Sequence, residues 1–189
     1  PYRTDHKILD ARQCKLPTQS VNPVAADSRD ICRYVCTEFP RWCTRDLYGA
    51  GALERARIEQ WLQAEAHSFD APSSALVLHL ALSPATAAES ERQLLRVLDV
   101  YDGALGRSAY LAGDGFTLAD LSHLPNAHCL ACSARGRALL ASRPNVARWY
   151  AAISSRPSWR QVVAAQARTA HYYPAAFDDP PPASAHAAV

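Results

Sequence analysis

The 189 residues carry 20 basic and 18 acidic side chains, a net charge of +2, and the two signs are interleaved, which leaves no basic face for a nucleic acid. The chain is 49% hydrophobic, yet no apolar run approaches the ~20 residues of a membrane helix. It reads as one globular domain, or a domain with part of another, and the expected compartment is the cytoplasm. Six cysteines, at positions 14, 32, 36, 43, 129 and 132, are too sparse for a disulfide scaffold and are expected as thiols. No methionine occurs, even at position 1, so the chain as given is expected to lack its start or to have been processed.

Residues 1–24 show no periodicity and predict a loop or a weak strand. The stretch AADSRDICRYVC then turns apolar at helical spacing behind Asp27 and Ser28, predicting a helix over about 28–37. FPRWCTRDLYGAGA follows as a connector that closes on Gly49 and Gly51. ALERARIEQWLQAEAHSFD sets Ile58, Trp61, Leu62 and Glu65 on one stripe. Asp70, Ala71 and Pro72 are expected to break that helix, with a resumption across SSALVLHLAL.

In AAESERQLLRVLDVYDGALG, Leu94, Leu98, Tyr101 and Leu105 step by four, three and four, a core-facing seam. The sharpest local signal is GDGFTLADLSHLPN at 113–126. Thr117 and Asp120 stand at N-cap and N3 of a capping box, and Phe116 and Leu121 at the two positions of a hydrophobic staple, so Asp120 is read as structural rather than catalytic. Val146, Trp149, Tyr150 and Ile153 form a further stripe, and RPSWRQVVAAQA adds a last helix with Pro157 in its first turn. The Pro- and Ala-rich stretch 169–189 carries no stripe and is expected to be a flexible tail.

Cys32 and Cys36, one turn apart beside Ile31 and Val35, are expected to pack as small apolar residues. His128, Cys129 and Cys132 offer three potential ligands, but no second pair at zinc-site spacing accompanies them and they fall inside the helix that Thr117 starts. The same packing role is expected there, with no metal.

IEQWLQAEAHSFDAP, LLRVLDVYDGAL, YLAGDGFTLAD, GFTLADLSHLPN and RPNVARWYAAISSRPSWRQVV, in this chain order, resemble the helical C-terminal domain of plant glutathione S-transferases of the phi class. The resemblance covers roughly residues 27–166. It implies a mainly α fold: a remnant of a thioredoxin-like α/β domain at 1–40, a linker at 41–50, an all-helical bundle at 51–168 and the tail. In the family the last helix of the first domain begins Glu-Ser-Arg, and Asp27, Ser28 and Arg29 stand in its place here. By that resemblance Ser28 binds the glutamyl carboxylate of glutathione and Asp27 faces its amine. On residue chemistry alone, either side chain could simply cap the helix.

The resemblance also implies an apolar wall for the electrophile at Leu78 and Leu82. It assigns no catalytic residue, because no serine matches the family's thiolate-activating one. Ser20 has no preceding apolar strand, the family's Val-Pro segment is absent, and Cys14, flanked by Arg12 and Lys15, is a weak substitute in an unpatterned segment. The implied function is conjugation of the glutathione thiolate to hydrophobic electrophiles by a homodimer, without metal, membrane or nucleic acid. A non-catalytic carrier of apolar ligands or an interaction module is the alternative.

Overall fold

The computed structural model describes residues 27–39, 46–82 and 87–168, so the expectations for residues 1–24, Cys14, Ser20, Cys43 and the tail lie outside it. The described residues form eight α-helices: α1 (Ser28–Glu38), α2 (Ala52–Ala64), α3 (Asp70–Leu82), α4 (Ala87–Leu105), α5 (Leu118–Ala131), α6 (Ala134–Ala141), α7 (Pro144–Ser154) and α8 (Pro157–Arg168). No helix among them is long and apolar enough to cross a membrane.

The expected break at Asp70 to Pro72 does not occur. A π-helical turn, Glu65–Phe69, joins α2 directly to α3. The wider turn shifts the hydrogen-bond ladder just ahead of Pro72, which removes one donor from the ladder without ending the helix. It also turns both Glu65 and Phe69 inward, at 3% and 0% exposure.

The stripes read from the sequence meet in one core. Ile58 and Leu62 of α2, Leu94, Leu98, Tyr101 and Leu105 of α4, and Val146, Trp149 and Ile153 of α7 are all buried together. Helix α5 runs through the middle and touches α2, α3, α6 and α7, which is why its buried residues occupy nearly every face. Within it, His123 is fully buried. Its Nδ1 donates to the Ala119 carbonyl oxygen at 2.6 Å, which leaves Nε2 to accept from the Tyr101 hydroxyl at 2.9 Å. Burial depresses its pKa to about 4, so the imidazole is neutral.

Asp120 holds the start of α5. It completes the capping box by accepting the Thr117 N–H at 2.9 Å, and it also accepts the Leu111 N–H at 3.1 Å and the Trp149 indole N–H at 2.8 Å. One carboxylate thus ties the loop before α5, α5 itself and α7. Asp102 plays a similar part between α4 and α7, accepting the Asn145 and Val146 N–H groups at the head of α7 at 2.8 and 3.2 Å. Ser133 caps α6, and a side chain at Gly136 would overlap the Leu130 carbonyl, so α5 and α6 meet at a corner that only glycine permits.

Candidate functional site

Asp27 is the N-cap of α1: its Oδ1 accepts the Arg29 N–H at 2.9 Å, and that hydrogen bond, more than the nearby guanidinium, lowers its pKa. Ser28, the first helical residue, is exposed and lines a cleft of about 380 Å³. Leu62, Leu118, Leu121, Pro125 and Trp159 give the cleft apolar lining beside the polar Glu65, Asp70, Ser122 and Asn126. The indole N–H of Trp159 is buried and has no hydrogen-bond partner among the described residues.

Two arginines one turn apart clamp α1 onto the bundle. Arg29 donates from Nε to Glu65 Oε2 at 2.6 Å and from Nη2 to Asp70 Oδ2 at 3.2 Å. Asp70 Oδ1 in turn accepts from Asn126 of α5 at 2.8 Å and from Ser74 at 3.0 Å. Arg33 forks onto Glu59 at 2.8 and 3.0 Å, and Glu59 also accepts the Tyr48 hydroxyl at 2.7 Å. Burial raises the Glu65 pKa against the pull of Arg29, whereas the Arg33 fork lowers that of Glu59.

The consequence for the site is positional. Ser28 sits immediately before Arg29, so the ion-pair cluster fixes where the first amides of α1 point. Asp27 already takes the Arg29 N–H through Oδ1 and the Asp30 N–H through its carbonyl oxygen, so the Ser28 N–H is the amide left at the positive end of the helix dipole. Sequence reasoning named Asp27 and Ser28 but missed Glu65, Asp70 and Asn126 as their support. The available signal was Glu65 itself, an acid on an otherwise apolar stripe.

Leu78 lies on α3, 55% exposed and outside the lining of this cleft, and Leu82 ends α3, its side chain outside the described ones. A second groove of about 370 Å³ runs between α2 and α4, lined by Trp61, Val97, Val100 and Tyr101 with Arg96 beside them. Among the described residues no three His, Cys, Asp or Glu side chains form a set that could hold a metal ion.

A helical bundle of this order is the architecture of a glutathione S-transferase C-terminal domain, and the family model of that domain matches residues 69–157. Glutathione S-transferase F10 of Arabidopsis thaliana is 39% identical over 146 residues, which are 73% of this chain and 67% of the relative. The crystal structure of glutathione transferase F2 from Populus trichocarpa superposes with a TM-score of 0.72 at 43% identity, covering 75% of this chain and 70% of that one. A maize glutathione S-transferase I, solved in complex with an atrazine glutathione conjugate, matches at 28% identity and a TM-score of 0.68, covering 76% and 70%. The chain belongs to the glutathione S-transferase family, phi class.

Proposed function

We propose that this chain binds glutathione at the head of α1 and serves in its conjugation to hydrophobic electrophiles, as a homodimer in the cytoplasm. The observation that carries the reading is the exposed N-terminus of an 11-residue helix opening at Ser28 onto a cleft with a partly apolar lining. Helix amides and a hydroxyl at such a place suit a carboxylate. Ser28 would take the glutamyl carboxylate through its N–H and hydroxyl, and the ionised Asp27 would face the glutamyl amine.

The chemistry of conjugation needs the glutathione sulfur as a thiolate, and a free thiol titrates near ~8.5. The described residues contribute binding and orientation: Arg29, held by Glu65 and Asp70, keeps Ser28 at the mouth of the cleft. No residue is assigned to activate the sulfur. The maize relative's atrazine conjugate supports an apolar acceptor of that kind here. Leu78 and Leu82 of α3 remain part of the proposal as its apolar contacts.

The test is retention of the chain on immobilised glutathione together with turnover of chlorodinitrobenzene. Retention with turnover supports the transferase, and retention without turnover supports the binding half alone. The groove between α2 and α4, with two aromatic rings and two valines, favours a second reading as a carrier of apolar ligands. Saturable binding of an apolar dye without any retention on glutathione would support that reading over the first.

A further inference from the structure

The two cysteine pairs of the bundle differ in their surroundings. Cys32 and Cys36 of α1 pack against the hydrophobic core, as small apolar residues do. Cys129 and Cys132 are half-buried and stand outside the layer packed on that core. Cys132 still has helical backbone angles, φ −69° and ψ −20°. The two side chains therefore leave one face of the helix, with about 5–6 Å between Cβ atoms.

Both thiols lie at the C-terminal end of α5, within electrostatic reach of Tyr150. His128 turns elsewhere, setting its ring edge-on to Trp159 at 5.5 Å. The pair is thus a two-sulfur set and not a three-ligand one.

A disulfide requires Cβ atoms about 3.5–4.5 Å apart, closer than one helical turn allows. The turn is also pinned. Arg137 Nη1 donates to the Ala131 carbonyl oxygen at 2.9 Å, and the glycine corner at Gly136 sits against Leu130. Direct bridging would have to unwind this anchored end, whereas a single atom inserted between the sulfurs extends their reach. The inserted centre must be soft, to suit sulfur, and must be content with two protein ligands. Trivalent arsenic bearing one organic group meets both conditions.

We propose that Cys129 and Cys132 form a clasp for trivalent organoarsenicals. With an arylarsine oxide, two As–S bonds form while the As=O bond and two S–H bonds break, the oxygen leaves as water with both protons, and arsenic stays trivalent. After the first As–S bond the second is intramolecular, which strengthens the hold by about 10²–10⁴-fold over a lone thiol. This site is independent of glutathione at α1.

The experiment uses the full chain, phenylarsine oxide and an excess of a monothiol, followed by trypsin and mass spectrometry. The tryptic peptide 108–135 contains Cys129 and Cys132 and no other cysteine, and cleavage after Arg33 separates Cys32 from Cys36. One phenylarsenic unit on peptide 108–135, stable to the monothiol and released by a vicinal dithiol, is the expected result. Cys129→Ser and Cys132→Ser should each weaken retention about a hundredfold, and the double variant Cys32→Ser, Cys36→Ser should leave it unchanged. Arsenic on another peptide, an adduct lost to the monothiol, or full retention by Cys129→Ser would overturn the proposal.

Discussion

The Arg29 guanidinium donates its Nε–H to Glu65 Oε2 at 2.6 Å, and the carboxylate side chain that receives it is only 4% exposed. Breaking such a pair from one side leaves a buried charge without compensation, at a cost of about 3–5 kcal/mol. Arg29→Ala is therefore expected to destabilise the chain by about 3 kcal/mol or more, read as a fall in the urea midpoint. The double variant Arg29→Met, Glu65→Leu removes both charges and should recover most of that loss. A single variant that loses less than about 1 kcal/mol would mean that solvent reaches the pair and screens it.

A second expectation concerns Asp120, which accepts from Thr117, Leu111 and Trp149 and is itself 0% exposed. Every neighbour that it meets in these bonds is a donor. Asp120→Asn keeps the shape but turns an NH₂ group toward one of them, leaving buried donors unsatisfied at about 2–4 kcal/mol in all. Thr117→Ala loses only the capping hydroxyl, about 1 kcal/mol. Thermal melts should rank the two in that order, and the reverse order would locate the hold on α5 in the cap rather than in the carboxylate.

The parts of this architecture that were legible in the chain are those written in local spacing. The seam of Leu94, Leu98, Tyr101 and Leu105 is periodic and all four side chains are buried, and Thr117 and Asp120, three positions apart, spell a helix start. The π turn at Glu65–Phe69 was not legible, because nothing local distinguishes a wide turn from a break before Pro72. Helix α6, the eight residues ARGRALLA, is too short to show a stripe. The Arg29 to Glu65 pair joins residues 36 apart in sequence, and a separation of that size leaves no mark on either segment. Leu78 illustrates the same limit from the other side: an apolar helix carries no sign of which leucine ends up 55% exposed.

His123 sets a pH dependence. Its folded pKa of about 4 lies below the ordinary imidazole value of 6.5, so between these values the unfolded chain binds a proton that the folded chain does not. Stability from this group is then fully present above about pH 6.5 and is lost as the pH falls toward 4. The span corresponds to about 3 kcal/mol. Glu65 and Asp120, whose pKa values burial raises, bind protons more readily folded than unfolded and oppose the trend at its acid end. The urea midpoint of the wild-type chain is expected to rise between pH 5 and about pH 6.5, and that slope should be clearly reduced in His123→Asn, with His128, whose pKa burial also lowers, supplying what remains. A slope undiminished in the variant would place the titrating group elsewhere.

The head of α1 offers a test in which stability and ligand binding move in opposite directions. Asp27 caps the helix through the Arg29 N–H at 2.9 Å, and a glutamate there reaches one methylene further but caps less well. If Asp27 faces the glutamyl amine, Asp27→Glu should tighten glutathione binding in a calorimetric titration while lowering the melting temperature. Ser28→Ala keeps the backbone N–H and loses only the hydroxyl, so it should weaken binding by about 1 kcal/mol, a factor of roughly five to ten. If Asp27 merely caps the helix, Asp27→Glu lowers the melting temperature and leaves the affinity where it was. If Ser28→Ala also binds as tightly as the wild type, the ligand does not use this helix end at all.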